Sequence, residues 1–371
     1  MLRLSDQLRE IYPHQGRALC WDSFRRTRDG ERLQPWTTTG DLRLGACSED
    51  GSDVRPLRAG HDLYGSCHLL AMDAYESGIL TEKDTGGIAF HWGDTKTALH
   101  VIDMINNREG FGKILGEGAL RAAKAVGRGT EKLVPHVRGL EDISCDPRIV
   151  TGFSLGYAMS TRGSDHLKNM SCLEFPPAVQ TYPDLVEQVL GKELFQKFME
   201  NFPSELKDLT TKPKLCKWSE EDKGISDLLG VCCFPNAWWY SLRPADLTEL
   251  FNLATGQNYT EEEMMRCAER TVAIERAHWN REGSGRQDDI HPDRYFEYPV
   301  QDGPWKGTVL NRGEWELAQS EYYRLHGWEV ETGFLSQEKL KELGLETVAN
   351  DLEGPRKELK ARLKSKKEAK S

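Results

Sequence analysis

At 371 residues the chain is longer than a single core usually supports, so two domains are expected. Hydrophobic residues at 38% and charged residues at 29% are the profile of a soluble globular protein, and no apolar run reaches the roughly 18 residues of a membrane helix. A net charge of -10 argues against a nucleic-acid partner, which would need clustered Lys and Arg, and the absence of an apolar core in Met1 to Pro13 points to the cytoplasm.

In chain order, residues 13 to 60 come first and lack a sustained period. They are rich in Arg, Gly, Thr and Asp, with Trp21 and Trp36 isolated among polar neighbours. Thr95 to Asn107 carries Leu99, Ile102 and Ile105 at helical spacing, with Gly110 as a stop; Lys113 to Val126 repeats the period through Leu115, Ala119 and Ala122. A composition change at Asp142 to Pro147 marks a domain boundary. Thr260 followed by Glu261-Glu262-Glu263 is a capping box opening a helix through Met264, Ala268, Val272 and Glu275. Ser336 caps a shorter helix containing Leu340 and Leu343, which Gly344 ends. Arg356 to Lys370 is Lys- and Glu-rich and reads as a solvated, fraying helix. Alternating strand patterns are scarce, so the fold class is mainly α. The expected organisation is an unpatterned segment 1–60, a helical domain 61–145, a second helical domain 146–347 and a basic tail 348–371.

Nine cysteines without a C-x-x-C pair suggest neither a disulfide framework nor a zinc site. Most should be buried thiols. Cys232-Cys233 stands apart because of the motif around it.

Four ordered segments resemble the C-terminal domains of the aldehyde:ferredoxin oxidoreductase family. They are His61 to Gly87 with REGFGKILGEG at 108–118; Asp146-Pro147-Arg148 with GYAMSTRGSDHL at 156–167; Asp227-Leu228-Leu229-Gly230-Val231-Cys232; and Glu275-Arg276 through Asp288-Asp289, Pro292 and Arg294 to Tyr322-Tyr323 and Gly327-Trp328. The resemblance implies two helical domains without the family's N-terminal β domain, and a tungsten or molybdenum bis-pterin at their junction. It implies oxidation of an aldehyde to a carboxylic acid, with electrons passing through a four-iron, four-sulfur cluster to ferredoxin or an iron–sulfur electron-transfer subunit. Reduction of an aromatic acyl-CoA, as in the benzoyl-CoA reductase branch, is the alternative chemistry. A non-catalytic scaffold is the alternative role, and a homodimer is the expected assembly.

Residue by residue, the D-x-x-G-L-C motif falls on Asp227 to Cys232. Asp227 would accept from pterin amines as a buried carboxylate, Gly230 and Val231 would bring the backbone against the pterin, and Cys232 would ligate the cluster. A helix end with buried cysteines is the bland alternative. The earlier motif falls on Leu57 to Asp62, where Gly60 and Asp62 match and His61 replaces a leucine; Asp62 is the pterin contact it implies. His166 aligns with a histidine near the metal and would move protons, against the alternative of a structural Asp165-His166 pair on a helix. Lys168 aligns with a pterin-contacting lysine. Cys67 stands where the family has glycine and is a candidate soft-metal ligand, against the alternative of a small core residue.

The sequence also departs from the family. The C-x2-C-x3-C triad that supplies the other three cluster ligands has no counterpart, since Cys20 and Cys47 have no partner at that spacing. No carboxylate occurs in Trp36 to Gly40, where the family places one near the metal. Two accounts are open: a reading frame lacking its first half, or a paralogue that keeps the helical scaffold.

Overall fold

The computed structural model describes residues 61–143, 145–201, 209–301 and 305–368. The unpatterned segment 13–60, with Cys20, Cys47, Gly60 and Trp36 to Gly40, lies outside the described residues. The chain is mainly helical. Its longer helices are α1 (His61–Glu76), α2 (Thr95–Asn107), α3 (Ala119–Val126), α4 (Thr151–Met159), α5 (Pro183–Leu190), α6 (Lys192–Asn201), α7 (Lys212–Leu229), α8 (Pro244–Thr255), α9 (Glu261–Arg281), α10 (Arg312–Leu325) and α11 (Glu346–Glu368). The strands are β1 (His136–Val137) and β2 (Leu140–Glu141), an antiparallel pair with His136 opposite Glu141. None of the described helices is long and apolar enough to cross a membrane.

The described residues form two compact units. The first runs to Cys145 and recovers Pro292–Thr308; the second comprises Asp146–His291 and the chain from Val309. In the first, α1 buries Cys67, Leu70, Ala71, Met72 and Ala74 against Val101 and Ile105 of α2 and Ala119, Ala122 and Ala123 of α3. Asp94 starts α2 by accepting from the Thr97 amide at 3.1 Å. The buried face of α2 is Ala98, Val101 and Ile105, so the expected face is rotated and Leu99 is exposed. The helix expected over Lys113 to Val126 is broken. A turn at Gly112–Leu115 is followed by Gly118, at φ 94 and ψ 154, before α3 begins. Gly112 is required there, since a Cβ would lie 2.3 Å from the Met104 carbonyl carbon of α2.

In the second unit α7 is the central element, packed against α4, α5, α8, α9 and α10. Gly224 permits the close crossing with α9: a Cβ there would sit 3.0 Å from Ala268 Cβ. The α9 start follows the capping box, with Glu263 Oε2 accepting from the Thr260 amide at 2.8 Å and Thr260 Oγ1 from the Glu263 amide at 3.2 Å. The helix runs on to Arg281, beyond the expected Glu275. The short helix Gln337–Glu342 is capped by Ser336, whose Oγ accepts from the Lys339 amide at 3.0 Å. The basic stretch from Arg356 is helical and largely solvated as expected, with the Lys357 and Lys364 side chains 80% exposed, but one face of it is buried. It belongs to α11, whose Leu352 and Leu359 are buried, and Arg356 donates to the Leu335 carbonyl at 2.6 Å. Hydrophobic residues at Leu352 and Leu359, seven apart, hold this face down despite the charge around them.

Arg276, 1% exposed, joins α9 to the C-terminal part of the unit. Its guanidinium pairs with Asp289 at 2.7 Å, donates to the Gly333 carbonyl at 2.9 and 2.7 Å, and lies 4.7 Å from the Trp328 ring centroid. Tyr323 donates its hydroxyl to the same Asp289. Removing one member of such a pair leaves an unpaired buried charge. Arg276→Ala is therefore expected to destabilise the second unit by about 3–5 kcal/mol in urea titrations followed by helical circular dichroism. Arg276→Met with Asp289→Leu should cost less than the single change.

Candidate functional site

The site is built on the C-terminal end of α7 and on the loop that follows α4. The start of α4 is fixed by Glu174, which accepts from the amides of Gly152 at 3.0 Å and Phe153 at 3.2 Å. Lys212, at the first turn of α7, lies 3.0 Å from the same carboxylate, both side chains being fully buried. A carboxylate at a helix N-terminus answers both the orphan amides and the helix dipole. Gly152 is needed because a Cβ would stand 2.5 Å from Glu174 Oε1.

Helix α4 ends at Met159, and residues 160–168 form a loop, not the helix considered from sequence for Asp165 and His166. Gly163, at φ 115, supplies a backbone conformation that side chains rarely adopt. Asp165 accepts from the Leu167 amide at 2.8 Å and pairs with Arg162 at 2.7 Å. The His166 ring stacks on Phe153 with centroids 5.5 Å apart and an interplanar angle of 17°, and lies 6.3 Å from the Trp238 ring. Lys168 reaches Glu275 of α9 at 2.6 Å and Asp227 at 3.8 Å. Burial works against the Lys168 charge, but the Glu275 hydrogen bond and the carboxylates of Glu275, Asp227 and Glu220 outweigh it and raise its pKa.

Asp227 occupies the last turn of α7, paired with Lys223 and Lys168. Its side chain is 43% exposed, so the buried acceptor expected from sequence is instead a surface carboxylate between two cations. Gly230 ends the helix in the left-handed region at φ 67, with its amide on the Asp227 carbonyl and the Val231 amide on the Ser226 carbonyl. Val231 and Cys232 follow, both exposed, and Cys233 is half-buried. The chain is then pinned back on α7 by Asn236: Ser226 donates to Asn236 Oδ1 at 2.8 Å and Asn236 Nδ2 to the Asp222 carbonyl at 3.0 Å. Leu167, Leu228, Val231, Phe234 and Trp239 are exposed around this turn.

The second unit thus brings together His166, Lys168, Asp227, Gly230, Val231 and Cys232 on neighbouring segments. Asp62 and Cys67 belong to the first unit, on α1. Cys67 is 1% exposed and donates Sγ–H to the Leu115 carbonyl at 3.1 Å. Burial, with Glu141 adding to it, pushes its pKa up to about 12. Metal ligation needs the thiolate, so its surroundings are those of a core thiol. Among the described residues no group of three or more His, Cys, Asp or Glu is arranged to hold a metal ion.

Sequence reasoning gave no role to Glu275, although it stands in a motif segment, and it missed Asn236 and Glu220. The signal for Glu220 is the run Ser219 to Lys223 in mid-helix, where a buried face must take in charge. Burial raises Glu220, Glu221 and Asp222 each to about 7. Glu220 accepts from the Tyr322 hydroxyl at 2.5 Å and lies 3.4 Å from His326 Nε2, whose pKa burial holds well below the usual range.

These raised carboxylates have a pH signature. A folded pKa above the unfolded value means the native state binds the extra proton, so stability falls as pH rises from about 4.5 to about 7. Glu220→Gln removes that proton uptake. The stability difference between variant and parent should therefore shift toward the variant between pH 5 and pH 8, as read by denaturant midpoints, and stay flat above that range.

The family model for aldehyde ferredoxin oxidoreductase, domains 2 and 3, matches residues 63–345. The tungsten-containing aldehyde ferredoxin oxidoreductase of Pyrococcus furiosus is 32% identical over 283 residues, covering 76% of this chain and 42% of the relative. The aliphatic sulfonate oxidoreductase, WOR-like subunit, of the same organism is 28% identical over 297 residues, covering 78% of this chain and 41% of the relative. Among solved structures, the active site complex BamBC of benzoyl coenzyme A reductase in complex with 1,5-dienoyl-CoA superposes with a TM-score of 0.62 at 20% identity. It covers 88% of this chain and 51% of that one, a likeness of fold. The chain spans less than half the length of the curated relatives, and it belongs to the aldehyde ferredoxin oxidoreductase family through that family's second and third domains.

Proposed function

We propose that this chain is the helical, cofactor-facing portion of a tungsten-pterin oxidoreductase that oxidises aldehydes to carboxylic acids. The observation carrying the reading is the cluster of Lys168, Asp227, Gly230 and Cys232 beside His166, within a chain belonging to this family. The residues present suit a pterin. Asp227 offers exposed carboxylate oxygens to amine donors, Lys168 offers a persistent cation to anionic groups, and the left-handed Gly230 leaves open space above the turn. Apolar side chains at Leu228 and Val231 would cover a flat ring.

A tungsten bis-pterin supplies the two-electron redox chemistry when bound. The protein's share is acid–base and positional. Oxidising an aldehyde with water to a carboxylic acid releases two electrons and two protons, the electrons leaving to ferredoxin. His166 would take up a proton. Its Nδ1 is shut away from solvent, so the exchange would run through Nε2. The ring's stacking on Phe153 fixes its plane, and Trp238 limits water on that side. Cys232 is exposed and available to a cluster, but the described residues offer no further thiolates arranged with it. A four-iron cluster does not fit them by themselves. The same observation favours a second reading, a non-catalytic scaffold.

The test begins with the chain purified anaerobically from cells supplied with tungstate, and assayed for pterin, tungsten and iron. Pterin and tungsten are expected together, with iron well below four per chain. Asp227→Ala should lower both pterin and tungsten about ten-fold, the equivalent of losing one charge-assisted hydrogen bond of roughly 1.4 kcal/mol. A folded parent chain holding neither would overturn the reading in favour of the scaffold. With aldehyde and a viologen acceptor, His166→Asn should keep cofactor content and lose about 10²–10⁴-fold in turnover. Near-parental turnover would make His166 structural.

A further inference from the structure

The loop from Thr161 to Lys168 carries His166 between two ends held by one side chain. Thr161 Oγ1 donates to Glu275 Oε2 at 2.6 Å, and Lys168 Nζ donates to Glu275 Oε1 at 2.6 Å. Each oxygen of one carboxylate thus takes one end of the loop. Four residues further along α9, hence on the same face, Trp279 donates Nε1–H to the Thr161 carbonyl at 2.5 Å. Short-range bonds shape the loop interior: Asp165 serves the Leu167 amide and Arg162, and the Gly163 carbonyl accepts from the Asp165 amide at 2.8 Å. The platform under His166 is itself rigid, since Phe153 is fully buried in α4, whose N-terminus Glu174 caps. A loop closed this way holds the imidazole plane against Phe153; losing the Glu275 carboxylate removes a tie at each end and loosens that hold.

We infer that Glu275 is the positioning residue of this site, a two-handed clamp from α9 that holds the His166 ring in its stacked geometry and parks the Lys168 ammonium toward Asp227. The inference deepens the reading of His166 as the acid–base group and rests on it. Glu275 needs no contact with substrate or cofactor for this role. Its ionised carboxylate is what the role requires, because it accepts from a hydroxyl on one oxygen and from an ammonium on the other. Gln can accept on one oxygen alone, and Ala on none.

The experiment uses the full 371-residue chain with isotope-labelled imidazoles. The chain has ten histidines, and His166→Asn identifies the His166 signal by its loss. That signal should show the ring-current shift of stacking on Phe153. In Glu275→Ala it should move toward the unstacked position while the other histidines stay in place. Trypsin should cleave after the exposed Arg162 about ten-fold faster, because cleavage follows the local opening equilibrium. Glu275→Gln should show a smaller change in both readouts. A His166 signal and a cleavage rate unmoved in the folded Glu275→Ala chain would overturn the clamp. Should that variant disturb all histidines, Thr161→Val cuts one tie and leaves the ion pair. Movement confined to His166 would support the clamp, and none would overturn it. Neither readout needs a cofactor. A chain that binds no pterin sinks the functional reading and leaves the clamp standing, whereas an unmoved His166 in a chain that does bind pterin sinks the clamp alone.

Discussion

Lys212, Glu220, Glu221, Asp222 and Lys223 of one helix all leave water when the second unit folds, and the elements around α7 are arranged by where each finds a partner. An isolated buried charge is prohibitive, so every one of these groups is a demand on a neighbour. Lys212 is answered by Glu174, which also caps α4 and so fixes where the His166 loop begins. Glu220 is answered by the Tyr322 hydroxyl of α10, Glu221 by Lys217 one turn back, and Asp222 by Asn236 from the turn after Cys232. Lys223 reaches Asp227 at the helix end. The raised carboxylates report how incomplete some of this compensation is: burial still outweighs the partners.

The second organising element is α9, whose adjacent residues Glu275 and Arg276 face different tasks. Arg276 turns inward and binds Asp289, the Gly333 carbonyl and the Trp328 ring, assembling the segment beyond α10. Glu275 turns to the half-exposed loop and Lys168. One helix therefore couples a buried ion pair of the unit to the candidate site, and successive side chains diverge by about 100° around a helix, which is what allows it. Small residues permit the close approaches in this arrangement, Gly224 against Ala268 and Gly152 against the Glu174 carboxylate.

The exposed face of the site has a distinct character. Leu167, Leu228, Val231, Phe234 and Trp239 are all exposed around the turn that carries Cys232. Exposed apolar groups near the charged pair Asp227 and Lys168 accord with the cofactor site proposed above.

Much of this was legible in the residues themselves. Thr260 with Glu263, Ser336 and Gly230 are local signals, because a cap or a left-handed helix end is decided by a side chain or a missing one within a few positions. The order of the motif segments, from His61 to Trp328, sufficed for the family, and the helical character followed from spacing. What the sequence alone could not decide is set by partners distant in the chain. The break at Gly118, the burial of Arg356 and Leu359, and the rotation of α2 that exposes Leu99 all depend on which neighbour each face meets. Asp227 read as a buried acceptor because the family motif sets it against a pterin; Lys168, 59 residues away, and Lys223 make it a surface carboxylate between cations. Glu275 stands in a motif segment, but its partners Lys168 and Thr161 lie 107 and 114 positions away, and no local pattern names them. Capping and periodicity are short-range physics and are written in the chain, whereas the pairing of buried and half-buried charges exists only once the helices have packed.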